Sequence, residues 1–259
     1  MKSLCIAFAM YSKFPVPQFE WDRRSLSWAL CWFPLVGAAI GALLWCWLGL
    51  WSWLDMGLLG AAGAVALPAA LSGAIHLDGL CDTCDALASH QSRERKLEIL
   101  KDSHTGAFAI LCCGLYLLVF AAAWAEADRE GPAALVLALV PVLSRALSAL
   151  AAVSWKNARG TGLLATFTDA MDSRRARVIL LAEAGAVLAV MGVLALDSGE
   201  WTLLAVPLGA LGSFLYYRVM AYRQFGGITG DTAGYFLQIC ECVCVTALVL
   251  AQRIGEAVL

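Results

Sequence analysis

Charged residues are scarce in this sequence. Asp, Glu, Lys and Arg together make up 15% of its 259 residues, whereas 61% are hydrophobic. With a mean hydropathy of +0.75, this balance excludes a water-soluble globule and predicts an integral membrane protein. The net charge of −2 excludes a protein that mainly binds nucleic acid, because such a protein has a basic surface. Linkers rich in Gly and Ser, domain-boundary charge runs and internal repeats are also lacking, so we predict a single membrane domain over residues 1–259.

Long apolar runs fill most of the chain. Roughly 20 such residues span a bilayer as a helix, and three of the predicted spans carry one ionisable residue each: Arg145, Glu183 and Glu241. The seven predicted spans are 28–54, 56–75, 106–125, 131–155, 178–196, 201–217 and 232–251. The expected fold is therefore an all-α, polytopic transmembrane bundle of about seven spans. Residues 1–27 lack a small-residue cleavage site and are expected to form an interfacial or re-entrant segment.

The basic residues are distributed unevenly among the connections. Fifteen of the eighteen Lys and Arg lie before residue 28 or in the segments 76–106, 156–177 and 218–231, which are alternate connections. Basic loops favour the cytoplasmic side, so the N-terminus is expected to be cytoplasmic. Tryptophans are expected to mark the opposite interface or to pack in the core: Trp45, Trp47, Trp51, Trp53, Trp124 and Trp201.

Three acidic residues follow the second span, in the segment AIHLDGLCDTCDAL. Asp78, Asp82 and Asp85 are spaced i, i+4, i+7, which puts them within about 60° of one another on a helix. Like charges held so close require a cation, and hard oxygen ligands suit Mg²⁺ or Mn²⁺. The alternative is a solvated polar face, although such faces usually include Lys or Arg. His76 lies off this stripe and is expected to contact substrate or to be structural.

A zinc site is a weaker interpretation of the same segment. Cys81 and Cys84 form a C-x-x-C pair, but no second pair follows at a suitable spacing to complete a tetrahedral site. The remaining cysteines lie mostly within predicted spans, where cysteine acts as a small hydrophobe.

The second polar segment is RERKLEILKDSHTGAF at 93–108. Together with the acidic motif before it, it is expected to form a cytoplasmic polar region over 76–106. The part from residue 93 is consistent with an amphipathic interfacial helix. Lys101 could meet a phosphate, Asp102 could serve as metal ligand or base, and Ser103 lies beside them. These residues are typical of a phosphoryl-transfer site.

The third segment, FGGITGDTAGYF, leads into the last span. Gly226, Gly227, Thr229 and Gly230 could present backbone N–H groups to an anion at the start of a helix, although a flexible turn would explain the glycines equally well. Asp231 beside a phosphate-binding turn requires a bridging cation. Gln238 lies seven residues on, on the same face. The Walker lysine motif is lacking, which excludes a P-loop.

Two ionisable groups lie deep in apolar spans, where an unpaired charge is costly. Arg145 and Glu241 are at similar depths relative to the ends of their helices. We predict that they form a buried pair or line one polar cavity.

The segments HLDGLCDTCDAL, KDSHTGAF, PVLSRA and GGITGDTAG, in this order, resemble the hallmark segments of the cobalamin synthase family, also called adenosylcobinamide-GDP ribazoletransferase. The resemblance runs from YSKFPVP at 11–17 to the last span. The sequence departs from the family at Cys81 and Cys84, where alanines are usual, and at His104, where an arginine or similar residue is common. These departures argue against the cysteines as ligands and against an essential His104.

The resemblance implies a Mg²⁺-dependent enzyme of the bacterial inner membrane, with its active site facing the cytoplasm. A hydroxyl of α-ribazole, or of its 5′-phosphate, would attack the pyrophosphate of adenosylcobinamide-GDP and expel GMP. Asp78, Asp82, Asp85 and Asp231 are expected to hold the metal, and Lys101 would assist. The residues expected to bind substrate are His76, Ser103, Arg145, Gly226, Gly227, Thr229, Gly230, Gln238 and Glu241. Asp85 or Asp102 is expected to be the general base. Homo-oligomers and association with other late corrinoid-pathway enzymes remain open.

Other classes of protein share some of these features. A lipid-pathway transferase using a nucleotide-activated alcohol, or a prenyltransferase, also has aspartate clusters, but the lipid enzymes' usual Asp-Gly then Ala-Arg pattern is not seen. A transporter for cations or organic anions would place acids near the middle of several spans. Here the acids cluster towards one membrane face, which favours an enzyme.

Overall fold

The computed structural model of the chain describes residues 1–102 and 104–258, and this described part is helical, without a β-strand. Two 3₁₀ turns, Ala29–Trp32 and Trp201–Leu204, precede long helices. The α-helices in chain order are α1 Lys2–Tyr11, α2 Arg23–Leu26, α3 Phe33–Leu54, α4 Gly57–Leu71, α5 Ile75–Ala88, α6 Arg93–Ile99, α7 Ala107–Glu126, α8 Gly131–Ser154, α9 Leu163–Ala170, α10 Ser173–Ser198, α11 Ala205–Phe225 and α12 Gly230–Val258.

Six of the described helical stretches are long and apolar enough to cross a membrane, and a seventh results if α4 and α5 are taken as one bent span. The polytopic all-α bundle predicted from the sequence is therefore confirmed. α8 is its central helix, since 89% of its most apolar stretch is buried, compared with 22% for α10. The direction in which the bundle crosses the membrane stays a prediction.

The second predicted span, 56–75, differs from expectation because it is broken. α4 and α5 meet at 96°, and Gly73 and Ala74 between them have φ angles of +66° and +59°. The carbonyl of Leu71 accepts a 2.7 Å hydrogen bond from the N–H of Lys13. The positive φ at Gly73 is one that side-chain-bearing residues rarely adopt, so this position favours glycine. After the break, α5 packs along α7 and α12, which places the acidic motif against these two helices.

Close helix contacts at glycines bring α3 against α8. A Cβ on Gly37 would lie 2.3 Å from the carbonyl oxygen of Pro141, and a Cβ on Gly41 would lie 2.1 Å from that of Ala138. Glycines four residues apart form a groove that lets two membrane helices approach closely. This contact anchors the central helix, from which Arg145 projects.

The tryptophans divide between the two roles considered for them. Trp45, Trp53 and Trp201 are exposed, as expected of an interfacial belt. Trp51 and Trp124 are buried, and the Trp51 ring lies 4.0 Å from the guanidinium of Arg129. Exposure of the first group is compatible with the interfacial role, and burial of the second fits the core role, whereas the position of the membrane interface stays a prediction.

The connections rich in Lys and Arg meet at one end of the bundle, here called the basic end. Helix α6 docks there on the end of α11, through Lys96 Nζ, which donates to Gln224 Oε1 at 2.6 Å, and Arg93, which donates to the carbonyl of Tyr222. The connection after α8 pairs with the turn before α12 through backbone hydrogen bonds of Ile228 to Lys156 and of Ala158 to Ile228. The basic end therefore contains all three polar segments identified in the sequence.

Candidate active site

The start of α12 is built by reciprocal capping. Thr229 N–H donates to Thr232 Oγ1 at 2.8 Å, and Thr232 N–H donates to Thr229 Oγ1 at 3.2 Å. This arrangement satisfies two backbone donors that a helix start leaves free. It also places Asp231 in the first turn, where the helix dipole favours a negative charge.

Gly226 and Gly227 form the turn between α11 and α12. Their N–H groups donate to the carbonyls of Tyr222 and Ala221 at the end of α11, and both have positive φ angles. A Cβ on Gly227 would lie 2.3 Å from the carbonyl of Lys156. The structure therefore uses these two glycines for a close turn, whereas Thr229 and Gly230 line the cavity described below.

Glycines also bring α5 against α12. A Cβ on Gly79 would lie 2.7 Å from the carbonyl of Asp231, and one on Gly234 would lie 3.1 Å from the carbonyl of His76. Because the two backbones approach so closely, Asp78 of α5 and Asp231 of α12 face the same space.

This space is a cavity of about 220 Å³ at the basic end. One part of its wall is polar and another is apolar and mainly aromatic. The first set, here called the polar end, comprises Asp78, Asn157, Arg159, Thr161, Thr229 and Asp231. The second, here called the aromatic end, is formed by Tyr11, Phe33 and His76, whose rings lie close together. Leu30 and Leu164 also line the cavity.

Arg159 is the cavity residue that the sequence reasoning missed. Its Nη2 lies 2.9 Å from Asp231 Oδ2, but the Nη2 and Nε groups lack an aligned hydrogen-bond acceptor, as does the amide nitrogen of Asn157. The contact with Asp231 is therefore ionic, and several donors remain available to an anion. The glycines at 160 and 162, both at positive φ, were the available sequence signal for this tight loop.

The three aspartates of α5, Asp78, Asp82 and Asp85, do not all have the same role. Asp82 interacts electrostatically with Asp78, Asp231 and Asp85, and with Arg159. The carboxylates of α5 and α12 are therefore close enough to interact electrostatically with one another.

Asp85 instead holds the start of α7. Its two carboxylate oxygens accept hydrogen bonds from the N–H groups of Gly106 at 2.5 Å and Ala109 at 2.9 Å. A Cβ on Gly106 would lie 2.3 Å from this carboxylate, which explains the glycine in KDSHTGAF. Asp85 thus caps α7 from a neighbouring helix, and it does not line the cavity.

Lys101 and Asp102 are exposed and do not line the cavity. Asp102 Oδ1 accepts from the backbone N–H of His104 at 3.0 Å and lies 2.7 Å from its ring Nδ1. The hydrogen bonds from His104 lower the pKa of the Asp102 carboxyl. Ser103, the third predicted residue of this segment, lies outside the described residues.

Arg145 and Glu241 form the buried pair that the sequence predicted. Arg145 Nη1 lies 2.7 Å from Glu241 Oε1, and the side chains are 1% and 6% exposed. Ser144 also donates to Glu241 at 2.9 Å. One turn away, the buried Gln238 accepts from Tyr116 at 2.6 Å. These groups lie beneath the cavity and do not line it.

The polar end suits a divalent cation by its chemistry. Among the described residues, no three His, Cys, Asp or Glu side chains are arranged to coordinate one ion together. However, Mg²⁺ often uses only one or two protein carboxylates and completes its shell with water and substrate phosphate. Asp82 does not itself line the cavity, but it lies one turn from Asp78 on α5 and close enough to Asp231 to interact with it. Both carboxylates offer hard oxygen ligands, so the residues fit such an ion. Magnesium dependence stays a prediction.

Comparison with known proteins places the chain among enzymes of one activity. The family model described as cobalamin-5-phosphate synthase matches residues 3–249. The chain is similar to the adenosylcobinamide-GDP ribazoletransferase of Lachnoclostridium phytofermentans, with 43% identity over 98% of this chain and 95% of the relative. Similar proteins of the same name occur in Pseudomonas putida (38% identity, 89% of this chain, 91% of the relative) and Clostridium perfringens (33%, 93%, 94%). No solved structure matches significantly.

Proposed function

Because the chain belongs to the cobalamin-5-phosphate synthase family, we propose that it transfers the adenosylcobinamide phosphate moiety from adenosylcobinamide-GDP to α-ribazole or its 5′-phosphate, with release of GMP. The single observation that carries the location of this reaction is the polar end of the cavity. There, the carboxylates of α5 and α12 face a guanidinium with unused donors.

Binding of the pyrophosphate is assigned to the connection after α8 and to the start of α12. Arg159 and Asn157 have donors without partners, and the N–H groups at the start of α12 favour an anion. On binding, the guanidinium of Arg159 would exchange Asp231 for a phosphate oxygen. Charge-assisted contacts of this kind stabilise the charge that builds up on the reacting phosphate.

Asp82 and Asp231 would hold a Mg²⁺ or Mn²⁺ ion against the diphosphate. When bound, such an ion neutralises charge on the phosphate oxygens and on the departing GMP. Asp85 is not assigned to this role because both its oxygens accept N–H groups of α7.

The transfer breaks one P–O bond and forms another. The oxygen of the ribazole hydroxyl bonds to the phosphorus attached to cobinamide, and the bond to the GMP oxygen breaks. The hydroxyl proton needs an acceptor within the cavity. We assign it to Asp78, which lines the cavity and is exposed, in place of Asp85 and Asp102, which do not line it.

The site would face the cytoplasm of a bacterium, in its inner membrane. The support is the charge distribution, because the cavity opens at the basic end, and basic connections favour the cytoplasmic side. The two substrates, which carry nucleotide or sugar groups, would then enter from the compartment that contains nucleotides.

The test is an assay of the purified protein in detergent with adenosylcobinamide-GDP, α-ribazole and MgCl₂, with GMP and the corrinoid product followed by chromatography. Both products are expected in equal amounts, and a chelator should stop their formation. Asp78→Asn should lower the rate by about 100-fold or more and leave thermal unfolding unchanged. Absence of GMP from the folded wild-type protein would refute the proposal.

A further inference from the structure

His76 has an environment that the proposed chemistry at the polar end does not explain. Its side chain is 4% exposed, and neither ring nitrogen has a hydrogen-bond partner. A buried imidazole normally satisfies both nitrogens, because leaving one unpaired costs free energy. His76 lines the cavity, so a ligand in the cavity could supply the missing partner.

Aromatic rings surround this imidazole. The Tyr11 ring lies parallel to it, with centroids 6.3 Å apart, and the Phe33 ring lies at 5.8 Å. Tyr11 and Phe33 are themselves 4.3 Å apart. Flat rings in this arrangement favour a planar, largely apolar guest, because ring faces and edges give the best contacts to another ring.

The size of the cavity limits what can enter. Its volume of about 220 Å³ exceeds the ~150 Å³ that accommodates a benzene ring, but a corrin macrocycle is far too large for it. The corrinoid must therefore remain mostly outside and send only its phosphate tail to the polar end. The aromatic end is left for the smaller substrate.

We propose that the aromatic end binds the base of the acceptor nucleoside, a planar and largely apolar nitrogen heterocycle, and that a ring nitrogen of His76 hydrogen-bonds to this nucleoside. The inference rests on the proposed function and deepens it, because it assigns a place to one of the two substrates. The sugar hydroxyl that attacks would then point towards Asp78, which lines the same cavity.

Guanine, the other planar base in the reaction, fits this end less well. Its edge has several hydrogen-bond donors and an acceptor, whereas Leu30, Phe33 and Leu164 offer hydrocarbon. Burying those polar groups without partners would cost more than ring contacts return. A benzimidazole-type base has one ring nitrogen free for hydrogen bonding, which matches the unpartnered imidazole.

The test compares His76→Phe with wild type in the steady state. Phenylalanine keeps a ring of similar size but removes both nitrogens, so the fold should tolerate it. The KM for α-ribazole is expected to rise about tenfold, the effect of one hydrogen bond of about 1.4 kcal/mol, with the KM for adenosylcobinamide-GDP within about twofold of wild type. Assays with α-ribazole 5′-phosphate distinguish the acceptors: the rise should be similar if the base is the recognised group.

Phe33→Leu provides a second variant, since it thins the aromatic wall without removing a polar group. It should raise the KM for α-ribazole and also reduce discrimination between ribosides of larger and smaller bases. The matched control is His90→Asn, because His90 is exposed and asparagine tolerates its φ of +51°. This control should leave both KM values unchanged.

Equilibrium dialysis of α-ribazole with the wild-type protein, without corrinoid, separates the two proposals. Binding that is lost in His76→Phe supports the subsite even if GMP is never released, in which case only the proposed function fails. Normal turnover with an unchanged KM for α-ribazole in His76→Phe would overturn the subsite alone. A rise confined to the KM for adenosylcobinamide-GDP would assign the aromatic end to guanine and also overturn it.

Discussion

Two ion pairs, both with their acidic partner on α12, differ in their surroundings. Arg145 and Glu241 are 1% and 6% exposed, with Ser144 and a backbone carbonyl as further partners. Arg159 and Asp231 are 19% and 25% exposed and line the cavity. Both arginines have an N–H group without a partner, since Nε lacks one in Arg145 as it does in Arg159, so exposure is what separates the two pairs. The first pair is enclosed by helices on every side, whereas the second opens onto a space that a substrate can enter.

This difference indicates what each pair does. A charge enclosed in a membrane bundle must keep its partner, because exchange with water or ligand is blocked. A charge at a cavity wall can exchange its partner for a phosphate or a cation. Burial, and not residue type, therefore separates the pair that holds the bundle together from the pair assigned to substrate.

The largest effect is expected from breaking the enclosed pair. Arg145→Met or Glu241→Leu should destabilise the protein by about 3–5 kcal/mol, because each leaves an unpaired buried charge. The double variant Arg145→Met with Glu241→Leu should be milder than either single change. Unfolding in detergent, followed by circular dichroism, measures all three, and additive losses would contradict the pairing.

A smaller effect is expected where α5 meets α12. Gly79→Ala puts a Cβ 2.7 Å from the carbonyl of Asp231, so the helices must separate at a cost of about 1–3 kcal/mol. The displacement also moves Asp78 away from Asp231, so GMP release should fall. Gly185→Ala is the matched control because nothing lies within 4 Å of its Cβ. It should be neutral or slightly stabilising, and equal losses in the two variants would contradict the close approach.

The smallest effect is expected at Asp102, whose carboxylate is exposed to solvent and belongs to neither ion pair. Hydrogen bonds from His104 lower the pKa of Asp102, so their contribution to stability is present above the ordinary pKa of about 3.9 and is lost as the pH falls through the folded-state pKa. Asp102→Asn should lower Tm by at most about 1 °C at pH 7, and the difference should vanish at acid pH. A difference that grows on acidification would contradict this sign.

The sequence predicted the spans and the enclosed pair because both follow from the free-energy cost of placing polar or charged groups within the membrane. Apolar length indicates a membrane helix, and a charge within one demands a partner, so Arg145 and Glu241 could be matched without coordinates. Asp78 was identified from a helix face with three aspartates and no Lys or Arg, and Asp231 from its position beside a glycine-rich turn.

The missed features depend on contacts between distant segments. The bend at Gly73 depends on Lys13, the capping role of Asp85 depends on the start of α7, and the position of Arg159 depends on backbone pairing with Ile228. Nothing in the spacing of these residues shows which segment will lie beside them. The contact of Gly37 and Gly41 with α8 was readable as a small-residue motif but required knowledge of the partner helix.

The most direct test of the account is the single-turnover rate of GMP release by Asp231→Asn, measured beside its thermal unfolding. The open pair is assigned to substrate, so the rate should fall by about 100-fold or more, while Tm stays within a few degrees of wild type. Near-normal GMP release from this variant would contradict the assignment of the cavity between α5 and α12 as the active site.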